Sequence, residues 1–129
     1  MRTLISVSLA VFLARNTGNR AVIRREITRR FGYNLDRRLA DIRPDYAFDV
    51  SCQGSVPEAI MALLEAGSWE EAVRNAVSLG GDADTQACMA GGIVEAYFGV
   101  PDTIREQAEA RLPPNLLETT RAFERRFPA

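Results

Sequence analysis

Asp82, Asp84 and Thr85 fall within four positions of one another, directly behind Gly80 and Gly81, in the stretch SLGGDADTQACMAGG. Two carboxylates and a hydroxyl at that spacing can serve one of two ends. An aspartate at a helix N-cap accepts hydrogen bonds from the free N–H groups of the first turn, and acids there complement the helix dipole. Asp82 alone needs no other explanation. Asp84 and Thr85 are surplus to it. Residues at N-cap, N2 and N3 project near one helix entrance, so three oxygens can converge on the kind of shell that Mg²⁺ or Mn²⁺ takes. Glycines before them let the preceding turn come close without a Cβ clash. The positive end of the dipole repels a cation, so a metal at this place requires carboxylates as compensation. Spacing alone leaves both the cap and the metal site open.

The rest of the composition narrows the chemistry. All sixteen basic residues are arginine, and the chain has no histidine. That removes histidine-based nucleophile activation, general bases and metal ligands together. Chemistry must come from carboxylates, hydroxyls, backbone groups or a partner. Residues 1–43 hold ten arginines against Glu26, Asp36 and Asp41, a net +7, while residues 44–129 carry −8. A basic segment of this size can bind nucleic acid through phosphates. No reading module or stacking-aromatic pattern accompanies it, so a solvated helix face is the better expectation and nucleic acid is disfavoured as a partner. Cys52 and Cys88 lack metal-type spacing and form no disulfide framework, which predicts two reduced, packed thiols.

Helices must position the turn, because the apolar pattern is helical almost throughout. At 129 residues and 47% apolar, the chain fits one domain with one core. The opening MRTLISVSLAVFLAR imitates a secretory signal but lacks a small-x-small cleavage site, and Ser6 and Ser8 interrupt it. It is expected as a buried, central first helix, which predicts a cytoplasmic protein with no membrane association. Further helices are expected over Arg20–Phe31, with Gly32 beyond the end, and over about Leu35–Ile42. Ser55 with Glu58 and Ser68 with Glu71 read as capping boxes, the first with Pro57 in its opening turn. Gly80-Gly81 ends one helix, and Asp82 starts another whose Gly91 and Gly92 suggest close packing on a neighbouring backbone. Two more follow, over residues after Pro101 and after Pro113-Pro114. The expected fold is all-α, a compact multi-helix orthogonal bundle.

The stretch GGDADTQACMAGGIVEAYFG also resembles the C-terminal signature of the ADP-ribosylglycohydrolases, of the dinitrogenase-reductase-activating type. Just before it, DVSCQGSVPEAIMALLEAGSWEEAVRNAVSLGG is similar to the preceding segment of those proteins, and LAVFLAR and EITRRFGYNL to earlier helices, so the likeness runs from about Leu9 to Pro101. The resemblance implies an all-α fold around a two-metal site, usually magnesium or manganese, that hydrolyses the glycosidic bond between ADP-ribose and an acceptor. It implies metal ligation by Asp82, Asp84 and Thr85. Family members also carry an N-terminal half with a Gly-rich opening and a Thr-Asp-Asp-Thr-type motif that supplies the facing ligands. Nothing like it occurs here; the other Asp-Thr pair, Asp102-Thr103, stands alone. The resemblance therefore implies the family's C-terminal half, a single domain over residues 1–129, with a metal half-site and no catalytic residue of its own. A complementary chain or a homo-oligomer would complete it. The alternative is a non-catalytic homologue acting as an interaction or regulatory subunit.

One further loop bears on the substrate. SCQGS, residues 51–55, precedes a helix N-terminus, where N–H groups can take phosphate oxygens, making Ser51, Gly54 and Ser55 candidate contacts for the diphosphate of ADP-ribose. The competing reading of Ser55 is a simple N-cap. Tyr46 and Phe48 can stack on adenine or anchor their loop to the core.

Overall fold

Local capping chemistry sets several helix boundaries directly. Asn19 accepts hydrogen bonds from the N–H groups of Ala21 and Val22 at 2.9 and 3.2 Å, opening α2 (Arg20–Phe31). Gly32 closes it in the left-handed conformation, its N–H on the Thr28 carbonyl. Ser68 opens α5 (Trp69–Ser78) by accepting from the Glu71 N–H at 3.1 Å, and the Glu71 carboxylate returns to the Gly67 N–H at 2.7 Å. The computed structural model describes residues 2–49 and 51–127. Among these it shows eight helices and no strand, so the fold is all-α.

Two helices begin elsewhere than their sequences suggest, for long-range reasons. The helix expected from Leu35 is only the single turn α3 (Leu39–Ile42). Its start would need the Leu39 N–H on the Leu35 carbonyl. Instead Leu39 donates to the Glu65 carboxylate at 2.8 Å, and the Leu35 carbonyl accepts from the Arg24 guanidinium. α4 (Cys52–Glu65) starts earlier than the Ser55–Glu58 box predicts: Ser51 caps it by accepting from the Gly54 N–H at 3.1 Å. Ser55 then lies inside the helix, donating to the Ser51 carbonyl at 2.7 Å. Pro57 falls in the second turn, where it removes the N–H that would meet the Gln53 carbonyl.

The contacts divide the chain into two compact units, Met1–Gly99 and Val100–Ala129. In the first, α4 is the buried helix: every residue from Ser55 to Leu64 is buried, including Ile60, Met61 and Leu63. α1 (Arg2–Thr17) was expected to be central, but it is only half covered. It packs on α2, α4 and α6, and leaves Ile5 and Phe12 half or more exposed on its outward side. α6 (Ala83–Phe98) lies against α1, α4 and α5. A Cβ at Gly91 would sit 3.8 Å from the Trp69 ring and 4.0 Å from Val73, ordinary contact with side chains, and one at Gly92 would meet open space. The expected backbone approach at these glycines is therefore absent. In the second unit, α7 (Asp102–Glu109) and α8 (Pro114–Arg126) are tied by Arg105–Glu124 at 2.5 Å and Arg121–Glu109 at 2.8 Å. Among the described residues no helix is long and apolar enough to cross a membrane.

The arginines of α2 are largely answered locally. Arg29, Arg25 and Arg30 surround Glu26 at 2.6, 3.4 and 3.6 Å, and Arg24 pairs with Asp36 at 3.2 Å. The hydrogen bond from Arg29, then its charge and that of Arg25, hold the Glu26 carboxyl below its ordinary value. A carboxyl lowered on folding adds stability above its unfolded value, about 4.3, and that stability is lost as pH falls through the folded value. Glu26→Gln should therefore flatten the acid limb of the stability profile below about pH 5 while leaving pH 7 to 8 nearly level, as read by urea unfolding.

Candidate functional site

The turn before α6 is set by two consecutive left-handed glycines, Gly80 at φ 75° and Gly81 at φ 64°. A Cβ at Gly81 would stand 3.0 Å from the Tyr46 ring, 3.2 Å from the Ala47 carbonyl oxygen and 3.4 Å from the Phe48 Cα; at Gly80 it would meet nothing within 4 Å. The turn thus lies directly on segment 46–48. Gly80→Ala should cost about 1–2 kcal/mol for the left-handed backbone alone. Gly81→Ala carries the same term plus a clash with a carbonyl that cannot swing aside, so about 2–3 kcal/mol is expected from denaturant unfolding.

Asp82 occupies the N-cap position of α6, yet its side chain makes no capping hydrogen bond. The nearby N–H of Thr85 is taken by Asp84 at 2.9 Å. Capping therefore does not account for Asp82. Its carboxyl lies beside that of Asp84: a hydrogen bond shared between the two carboxyls first, then the Thr85 N–H, hold the Asp84 carboxyl below the ordinary aspartate range. Asp84 and Thr85 are exposed and Asp82 is half-buried. Among the described residues no arginine pairs with either carboxylate. Two adjacent acids without a counter-cation repel each other when both are ionised, and an added cation relieves that repulsion.

Segment 46–48 connects this turn to the α4 entrance. Gln86, fully buried on the first turns of α6, donates its side-chain amide to the Tyr46 hydroxyl, which donates in turn to the Gly54 carbonyl at 2.6 Å. Burial first, then the charges of Glu58 and Asp49 and, more weakly, Asp82, push the Tyr46 phenol above its ordinary value. Acids from three separate segments thus face one phenol.

Ser51, Gly54 and Ser55 do come together at the α4 entrance, with their polar groups engaged among themselves. The Ser51 hydroxyl accepts from Gly54, and the Ser55 hydroxyl donates to the Ser51 carbonyl. The Asp49 carboxylate accepts from the Ser51 N–H at 2.7 Å and fills the space above Gly54, where a Cβ would lie 1.9 Å from its oxygen. Hydrogen bonds from Ser51, side chain then backbone, keep the Asp49 carboxyl below its ordinary value. A carboxylate thus stands close beside the place an anion would approach. Next to it opens a cavity of about 630 Å³ whose polar lining includes Arg37, Asp41, Asp45, Asp49 and Glu58. Glu58 is 3% exposed; one carboxylate oxygen meets Arg37 at 2.6 Å and the other is buried without a partner. Phe48, two-thirds exposed, lies on the same wall.

Glu58, Gln86 and the bridging role of Tyr46 escape a reading by motif. The available signal was a polar residue in an apolar register: Glu58 interrupts SVPEAIMALL, and Gln86 precedes Ala90, Ile93 and Val94 on the inner face of α6. Cys88, expected to be packed, is exposed one turn beyond Asp84; the Cys52 side chain lies outside the described residues.

Among the described residues no three acids, histidines or cysteines converge closely enough to hold a metal ion. By donor type alone, Asp82, Asp84 and Thr85 could supply part of an oxygen shell and not a closed one. Fold and turn together define an all-helical protein with two neighbouring aspartates at a helix entrance. The model of the ADP-ribosylglycohydrolase family matches residues 5–127, and the chain belongs to that family. No curated protein and no solved structure gives a match.

Proposed function

We propose that the chain serves metal-dependent hydrolysis of ADP-ribosyl glycosidic bonds, with Asp82, Asp84 and Thr85 as one half of an Mg²⁺ or Mn²⁺ site that another chain completes. Family membership supports the glycohydrolase class. The observation that carries the metal reading is the Asp82 carboxyl, which does no capping and sits beside Asp84 with no arginine partner among the described residues. A bound divalent ion pair would supply Lewis-acid stabilisation and an oriented water. This chain's residues would hold the cations, and the acid-lined cavity would accept hydrogen bonds from ribose hydroxyls. Its carboxylates favour the positive charge that develops at the glycosidic carbon. The engaged hydroxyls of Ser51 and Ser55 and the adjacent Asp49 favour ribose over diphosphate at the α4 entrance.

One observation favours the second reading, a non-catalytic interaction or regulatory subunit: among the described residues only two carboxylates approach each other at the turn. Both readings call for association, and the outward Ile5 and Phe12 of α1 offer an apolar surface for it. The test is release of ADP-ribose from ADP-ribosylated arginine and serine peptides with Mg²⁺ or Mn²⁺, alongside light scattering over micromolar concentrations. Chelator-sensitive release that rises with association supports the split-site enzyme. Saturable ADP-ribose binding that is indifferent to chelator, without release at any concentration, would sink it and leave the subunit reading.

A further inference from the structure

We infer that Tyr46 and Gln86 are positioning residues for the Asp82–Asp84 pair, acting as a strut that sets the distance between this turn and the α4 entrance. The inference rests on the metal half-site proposed above. Gln86 and Asp82 belong to one helical turn, since the Gln86 N–H donates to the Asp82 carbonyl at 3.0 Å. The Gln86 side chain is fully buried, and its amide donates to the Tyr46 hydroxyl. That hydroxyl donates to the Gly54 carbonyl at 2.6 Å, and the Tyr46 ring lies against Gly81. Tyr46 therefore touches the turn on both sides of Asp82, with its ring before it and its hydroxyl after it, and anchors both to α4.

Packing alone does not call for this arrangement. Gln86 stands in line with Ala90, Ile93 and Val94, where an apolar residue would fill the space without a polar group to satisfy. Its amide oxygen is in fact buried without a partner, so the single bond to Tyr46 fixes the amide at the expense of an unsatisfied acceptor. A polar contact kept in a core under that penalty is expected where geometry matters more than stability. The geometry at stake is that of two carboxylates that must converge on a cation. Groups that orient metal ligands from behind commonly change metal affinity about 10- to 100-fold when removed.

Tyr46→Phe, Gln86→Leu and their double variant test the strut, with Ile27→Val as a control for general destabilisation. Ile27 is buried on α2, which packs chiefly on α1. Two quantities are read: Mn²⁺ affinity by paramagnetic resonance, and amide exchange at residues 84–86 in metal-free protein. Each single variant should weaken Mn²⁺ binding about tenfold and speed exchange at 84–86, and the double should be no worse than either single. Ile27→Val should lower the unfolding midpoint and leave Mn²⁺ affinity unchanged. Unchanged exchange, unchanged affinity in Tyr46→Phe, or additive losses in the double would each overturn the strut. A parent protein that fails to bind Mn²⁺ overturns the half-site itself, an outcome separate from a parent that binds and a Tyr46→Phe that binds equally well.

Discussion

Asp84→Ala should abolish Mn²⁺ binding and leave the helical fold in place. The two explanations of the turn part company here. If Asp82 were a cap, Asp82→Ala would cost about 1 kcal/mol and Asp84→Ala little. The capping hydrogen bond is absent, so Asp82→Ala should cost less than that. Asp84→Ala loses its bond to the Thr85 N–H at a solvent-exposed site, where water replaces it at little cost. Both variants should remain folded by circular dichroism while Mn²⁺ broadening of nearby resonances disappears. Affinity in the parent should be weak, because two carboxylates and one hydroxyl leave most of the shell to water or another chain. Binding needs ionised carboxylates and weakens as pH falls toward their range. Saturable Mn²⁺ binding that persists unaltered in an Asp82→Ala/Asp84→Ala double variant would falsify the half-site.

Boundaries governed by neighbouring residues were legible in the sequence. Asn19 and Gly32 bracket α2, and the Ser68–Glu71 pair opens α5, because each acts within one turn of the helix it delimits. Boundaries governed by distant residues were not. The start of α3 depends on Arg24 and Glu65, which lie many residues away and take the two backbone groups a longer helix would have paired. Ser55–Glu58 has the spacing of a capping box, but Glu58 is drawn to Arg37 and the cap passes to Ser51. Hydrophobicity alone also misplaced the central helix. α1 and α4 are both rich in apolar residues, and only tertiary contacts show that α4 is enclosed on every side while α1 keeps an outward face.

The candidate site divides in the same way. Asp82, Asp84 and Thr85 form a local pattern, visible because a single helix entrance presents all three. Tyr46, Glu58 and Gln86 meet only through the fold, and no spacing in the sequence announces them. The family match supports the class of protein but does not say what holds the turn in place. That is supplied by segment 46–48, whose Tyr46 joins Gly81 and Gln86 to the Gly54 carbonyl of α4.

Arg37→Ala should be among the most destabilising single changes outside the apolar core. Glu58 is 3% exposed, and its only charge partner among the described residues is Arg37 at 2.6 Å. Removing the guanidinium leaves a buried carboxylate with neither oxygen paired, since the second already lacks a partner. Breaking a fully buried ion pair from one side costs about 3–5 kcal/mol. The Arg37 side chain is 38% exposed and lines an open cavity, so water can reach part of the gap and about 2–3 kcal/mol is the better expectation. Glu58→Gln behaves differently: it removes the charge, keeps the shape, and leaves Arg37 free to turn to solvent, at about 1 kcal/mol. The two changes should be strongly coupled. In Arg37→Ala/Glu58→Gln no buried charge remains, and the double variant should recover most of what Arg37→Ala alone loses, as a urea-unfolding double-mutant cycle would show. Additive losses, or an Arg37→Ala within about 0.5 kcal/mol of the parent, would mean that the cavity hydrates Glu58 well enough to hold its charge unaided.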